Sequence, residues 1–73
     1  VDARIVDVDG EIRLGQLLKL AGVAESGSHA RSLLGEGEVT VNGEPETRRG
    51  RQLAPGDVVV VSLPGGDEEI RVR

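Results

Sequence analysis

The 73-residue sequence contains no cysteine and no phenylalanine, tyrosine, tryptophan or methionine. Without cysteine, neither a disulfide framework nor a thiolate metal site is available. This suits a reducing cytoplasm, the location expected for the chain. Without aromatic side chains there is no platform on which bases stack. A grip on nucleic acid must then rely on arginine planes, backbone groups and charge. No apolar run approaches the ~20 residues needed to cross a bilayer, and nothing reads as a signal peptide, so no membrane partner is expected. Positive charge is not in excess either. Nine Lys+Arg stand against thirteen Asp+Glu, a formal net charge of -4, which argues against a promiscuous polyanion binder.

What is present makes one small domain spanning residues 1–73, expected to be a monomer. Folding at this size buries about 60% of the unfolded surface, and the core must be built from Val, Leu, Ile and Ala. The chain begins at Val1, which permits it to be trimmed or excised from something longer. Seven of the acids lie near the two ends, at Asp2, Asp7, Asp9, Glu11, Asp67, Glu68 and Glu69. The middle of the chain is therefore close to balanced, and a local basic patch is allowed there.

Residues 3–8, ARIVDV, alternate apolar and polar and predict a strand closed by Asp9-Gly10. Residues 12–23, IRLGQLLKLAGV, predict a helix. Leu14, Leu17, Leu18 and Ala21 recur at i, i+3, i+4 and i+7, with Lys19 on the solvent side and Gly22 as the stop. Residues 25–37 predict a second helix capped by Ser28 or Ser26. Its apolar stripe is Ala30, Leu33 and Leu34, Gly35 weakens it, and Gly37 supplies a left-handed end. Val39 and Val41 lead into Asn42-Gly43, a strong type I′ hairpin signal, and Pro45 limits the return arm to an edge. A PGD turn then precedes VVVVSL, and a last short strand, IRVR, follows. VVVVSL and IRVR are both candidates for an unpaired sheet edge. The order strand, helix, helix, hairpin, strand, strand describes an α+β domain.

Catalysis has little to stand on. The single histidine, His29, has no cysteine to activate, and the serines are accounted for by caps and turns. The acid pairs Glu36/Glu38 and Glu44/Glu46 lie beside turns, where carboxylates are ordinarily solvated. No enzyme activity, cofactor or metal is expected. Binding has more support. The segment SGSHAR at the start of the second helix offers backbone N–H groups and a positive dipole end, both of which attract phosphate. Arg31 can reach phosphates bidentately; its plain alternative is a surface salt bridge. His29 is read either as a half-buried helix residue or as an RNA contact. ETRRGRQ, residues 46–52, sets Arg48, Arg49 and Arg51 around one glycine in an otherwise acidic chain.

Taken together, the leucine-rich first helix, Ser28–Arg31, the Gly37–Gly43 hairpin and the Gly56–Val60 strand resemble an RNA-binding domain. That domain is the one named after small-subunit ribosomal protein S-four. The match covers about residues 12–61, and LLKLAGVAESG and VNGEPETRRGR are most similar to the short standalone bacterial, YbcJ-like members. The resemblance implies two short helices packed on a small, mainly antiparallel sheet of about four to five strands, the alpha-L type of motif. It implies docking on structured RNA (ribosomal or transfer RNA, and the ribosome itself) with the helices as the main contact face. Carried over by position, the RNA-binding residues are Lys19, Ser28, His29, Arg31, Arg48, Arg49 and Arg51. A protein-interaction adaptor of the same fold, or an accessory domain of an RNA-modifying enzyme, is the alternative.

Overall fold

Asn42 and Gly43 both hold positive φ angles, 52° and 86°, as the two central positions of a type I′ turn require. They join β3 (Val39–Val41) to β4 (Glu44–Pro45). The Asn42 side chain fastens this hairpin to the next strand. Its Nδ2 donates to Asp57 Oδ1 at 3.1 Å, and its Oδ1 accepts from the Val58 N–H at 2.9 Å. From there β6 (Val58–Leu63) runs antiparallel to β3, β7 (Gly66–Val72) runs antiparallel to β6, and β1 (Ala3–Val6) lies parallel to β7. The five-stranded order is β1-β7-β6-β3-β4. The computed structural model describes residues 3–8 and 10–73; Asp9, half of the turn expected after β1, lies outside them.

The sheet is mainly antiparallel, as expected, with the β1–β7 pair the parallel exception. The expectation of a free edge at VVVVSL or IRVR is corrected. Both segments are flanked on each side, and the edges are β1 and β4. Pro45 sits on edge strand β4, where its missing N–H removes no ladder bond.

The first helix is shorter than its pattern suggested. Ile12–Arg13 form a two-residue strand, β2, paired antiparallel with β5 (Gln52–Leu53), and helix α1 covers Leu14–Leu20. The Ile12 side chain still enters the core. Gly22, at φ 77°, turns the chain after α1. Helix α2 covers Gly27–Gly35, and its cap is Ser26, which corrects the expectation that put Ser28 first. The Ser26 Oγ accepts the His29 N–H at 3.1 Å, whereas Ser28 lies within the first turn. Gly37, at φ 74°, closes the helix in the left-handed region.

Leu14, Leu17, Leu18 and Leu34 from the helices meet Val39, Val41, Val59, Val61 and Ile70 from the sheet, all fully buried. Fully burying one such side chain contributes about 1.5–3 kcal/mol. Several together therefore carry most of the stability that a domain of this size can have. The period of two in β6 sends Val59 and Val61 inward, while Val58 and Val60 face the uncovered side and stay half-buried.

Candidate nucleic-acid interface

The turn that carries the arginines is built against the first helix. The Arg51 carbonyl accepts the Leu14 N–H at 2.9 Å, and the Arg49 carbonyl accepts the Gly15 N–H at 2.9 Å. Two of the N–H groups that a helix start leaves without partners are thus satisfied by the turn's own backbone. Arg13 completes the join. Its N–H donates to Gln16 Oε1 at 3.0 Å, and its guanidinium donates through Nη1 to the Gly50 carbonyl at 2.7 Å. Gly50 does not adopt a left-handed φ. The bend comes from a turn closed by the Arg51 N–H on the Arg48 carbonyl at 3.3 Å.

This arrangement divides the three arginines. Arg49 lines a shallow groove of about 280 Å³ with Arg13, Gln16 and Lys19 on one side and Gly27 and Ala30 of α2 on the other. Arg48 and Arg51 line a neighbouring concavity that shares Arg13 and Gly50 with the first. Their guanidinium groups hold Glu46. Arg48 Nε donates to Oε2 at 3.2 Å, and Arg51 Nη1 donates to Oε1 at 3.0 Å. Glu46 is not the solvated turn carboxylate expected; it is 6% exposed. The Arg48 side chain, the Arg48 N–H and the Arg51 side chain, in that order of effect, hold its pKa down to about 2. The same contact raises the pKa of Arg48.

At the start of α2, Ser28 is exposed and two residues past the cap. His29 is exposed as well, not half-buried, and its Nδ1 accepts the Glu25 N–H at 3.1 Å. That bond leaves Nε2 as the ring's outward nitrogen. No acid lies in the first turn of α2, and Glu25, one residue before the cap, is the nearest in sequence. Arg31 is exposed, and neither the salt bridge expected as its plain alternative nor any other side-chain bond of Arg31 occurs among the described residues. At the far end of the same helix, Glu36 and Glu38 border a concavity with Leu33, Ser62, Leu63 and Pro64.

Of the candidates, the fold brings Lys19 and Arg49 to one groove; α2 contributes Gly27 and Ala30 to it, and Ser28, His29 and Arg31 are not among its lining residues. Arg13 was not foreseen. Its signal, a basic residue between the first core isoleucine and the first core leucine, acquires meaning only once β2 and β5 pair. No group of three His, Cys, Asp or Glu side chains able to hold a metal ion occurs among the described residues. No described helix is long and apolar enough to cross a membrane.

Comparison with known proteins gives a consistent picture. The family model described as S4 domain matches residues 5–73. The chain is 53% identical over 60 residues to the "Probable ribosome maturation protein RlbA" of Bacillus subtilis (strain 168), covering 81% of this chain and 84% of that protein. It is 49% identical over 51 residues to the "Small ribosomal subunit protein uS4m" of Schizosaccharomyces pombe, a match to 70% of this chain and 16% of that longer protein. YbcJ of Escherichia coli (strain K12), provisionally named as an RNA-binding protein, is 42% identical over 48 residues, with 66% and 69% of the two chains covered.

Proposed function

The chain belongs to the S4 domain family, and from that premise we propose that it is a non-catalytic RNA-binding module which docks on structured RNA through phosphates. The observation that carries this reading is the groove in which Arg13, Lys19 and Arg49 converge beside the first turn of α2. None of the three enters an ion pair among the described residues. A phosphate there meets up to three cations and the positive end of a helix dipole. Ser28, His29 and Arg31 flank that helix start, and Arg48 and Arg51 extend the basic surface. The names carried by relatives, ribosome maturation and RNA binding, point the same way. They favour ribosomal RNA over transfer RNA, with the ribosome as the setting; the reading is of a cytoplasmic, monomeric chain.

Without aromatic residues, recognition rests on backbone shape more than on base identity. The test is titration against ribosomal subunits and total transfer RNA at two salt concentrations. Affinity should fall steeply with salt, with a log-log slope of about -0.7 to -0.9 per phosphate contact. Replacing Arg48, Arg49 and Arg51 together by Ala should flatten that slope. Absence of salt-sensitive binding to any structured RNA sinks the reading, and co-purification with a single protein partner instead would favour an adaptor.

A further inference from the structure

We propose that Glu46 is a positioning residue for the RNA contact: its buried carboxylate holds residues 47–51 in the shape that presents Arg49 to the groove. The inference rests on the RNA-binding reading above. It assigns a supporting role to a residue whose charge, taken alone, opposes that function.

Among the described residues Glu46 is the one buried charged residue, and five donors converge on its two oxygens. Oε2 accepts the Thr47 N–H at 3.0 Å, the Arg48 N–H at 3.1 Å and Arg48 Nε at 3.2 Å. Oε1 accepts Arg48 Nη2 at 3.3 Å and Arg51 Nη1 at 3.0 Å. The backbone of Glu46 is itself anchored, its N–H donating to the Val39 carbonyl at 3.0 Å. The turn is thus held from two sides. Glu46 fixes its outer guanidinium groups and its first amides to the sheet, while the Arg49 and Arg51 carbonyls fix its inner backbone to α1. Between these anchors Arg49 is the arginine whose guanidinium Glu46 does not take up, and it is the one that lines the helix-side groove.

Three arginines within four positions repel one another, and a turn built from them needs a counter-charge to close. A free carboxylate can satisfy all five donors because both oxygens accept and neither donates. An amide in its place loses one acceptor and introduces a donor toward cations. A charge-only account treats Glu46 as a repulsive acid beside a phosphate site, and it predicts the opposite sign for its removal.

The experiment compares wild type, Glu46→Gln, Glu46→Asp and Arg49→Ala against total transfer RNA and ribosomal subunits at two salt concentrations, each protein verified as folded by circular dichroism. Glu46→Gln should weaken binding by about three- to tenfold through lost preorganisation. It should also lower the log-log salt slope by about 0.7–0.9, the value of one contact and the same step given by Arg49→Ala. Glu46→Asp keeps the charge but is one methylene short of its donors, and should shift affinity in the same direction. Amide exchange at Leu14 and Gly15 should quicken in both Glu46 variants, with Val59 and Ile70 unchanged. Unchanged or tighter RNA binding by folded Glu46→Gln, or unchanged exchange at Leu14 and Gly15, overturns the proposal. If Glu46→Gln does not fold, Glu46→Asp decides by the same criteria. A wild type that binds no RNA removes the RNA reading and this residue's role in it, whereas the exchange data still decide whether Glu46 holds the turn.

Discussion

Gly15 lies so close to the arginine turn that a Cβ at this position would meet the Arg49 Cβ at 3.2 Å, and its N–H already bonds the Arg49 carbonyl at 2.9 Å. This contact couples the first helix to the residue that faces the groove. In Gly15→Ala, the helix gains about 1 kcal/mol of propensity while the turn must move by a few tenths of an ångström. Stability should stay within about 1 kcal/mol of wild type, and RNA affinity should fall. Denaturant unfolding paired with RNA titration separates the two effects. A Gly15→Ala protein with undiminished affinity would show that the turn yields without moving Arg49.

The cap of the second helix falls on Ser26 and not on Ser28, the serine the sequence put first. Ser26→Ala should cost about 1 kcal/mol, because its Oγ accepts the His29 N–H. Ser28→Ala should cost less than half of that, having no cap to lose. Equal losses in thermal unfolding would contradict this assignment.

Acid should act through Glu46 and Asp57. Both carboxyls are held below their ordinary pKa values, Glu46 at about 2 by Arg48 and Arg51, and Asp57 lowered by the Ala54 N–H and the Asn42 amide. A carboxyl depressed in the folded state contributes stability that is complete above its unfolded pKa and is lost as pH falls through the folded value. For Glu46 that window runs from 4.5 down to about 2. Unfolding midpoints followed from pH 6 to pH 2 should therefore decline most steeply below pH 4.5. Glu46→Gln should be less stable at neutral pH and should have a shallower acid limb. An acid limb as steep as wild type in that variant would assign the acid loss to other carboxyls.

Leu17 is fully buried between helix and sheet. Its replacement by Ala should cost about 2–5 kcal/mol, close to the whole stability of a domain this small. Circular dichroism of Leu17→Ala at 37 °C should report substantial unfolding. A melt within a few degrees of wild type would mean that the core closes over the gap.

The features visible in the sequence are those whose cause is local. Leu14, Leu17 and Leu18 lie on one face because the helix repeats every 3.6 residues, and Asn42-Gly43 turns because few other pairs accept two positive φ angles. The β2–β5 pairing leaves no such trace. Two-residue strands have no period, and Ile12 and Leu53 are joined across forty-one positions of sequence. Arg13 was therefore read as a helix residue and not as part of the groove. Glu46 was hidden for a related reason. Beside a Pro and three arginines it reads as a solvated acid, and its burial depends on the turn folding back over it. Ser28 reads as the cap because it supplies the same oxygen as Ser26, and the choice between them is made by where the first helical φ/ψ angles fall. The basic run is visible in the sequence only as a cluster. Its division into one arginine that lines the groove and two that hold Glu46 is a tertiary fact.

Helix α2 leads from the groove of Arg13, Lys19 and Arg49 at Gly27 and Ala30 to the concavity bordered by Glu36 and Glu38. Its macrodipole has the same sense as these side chains, positive where the cations gather and negative where the acids do. Along this one helix, positive and negative groups are therefore separated, in a chain of net charge -4. On the RNA-binding reading, a phosphate backbone is drawn to the basic end of this axis and repelled from the acidic end, which favours one docking pose. Salt at 0.1 M limits the reach of these charges to about 10 Å, so the orienting effect of the axis acts at close approach.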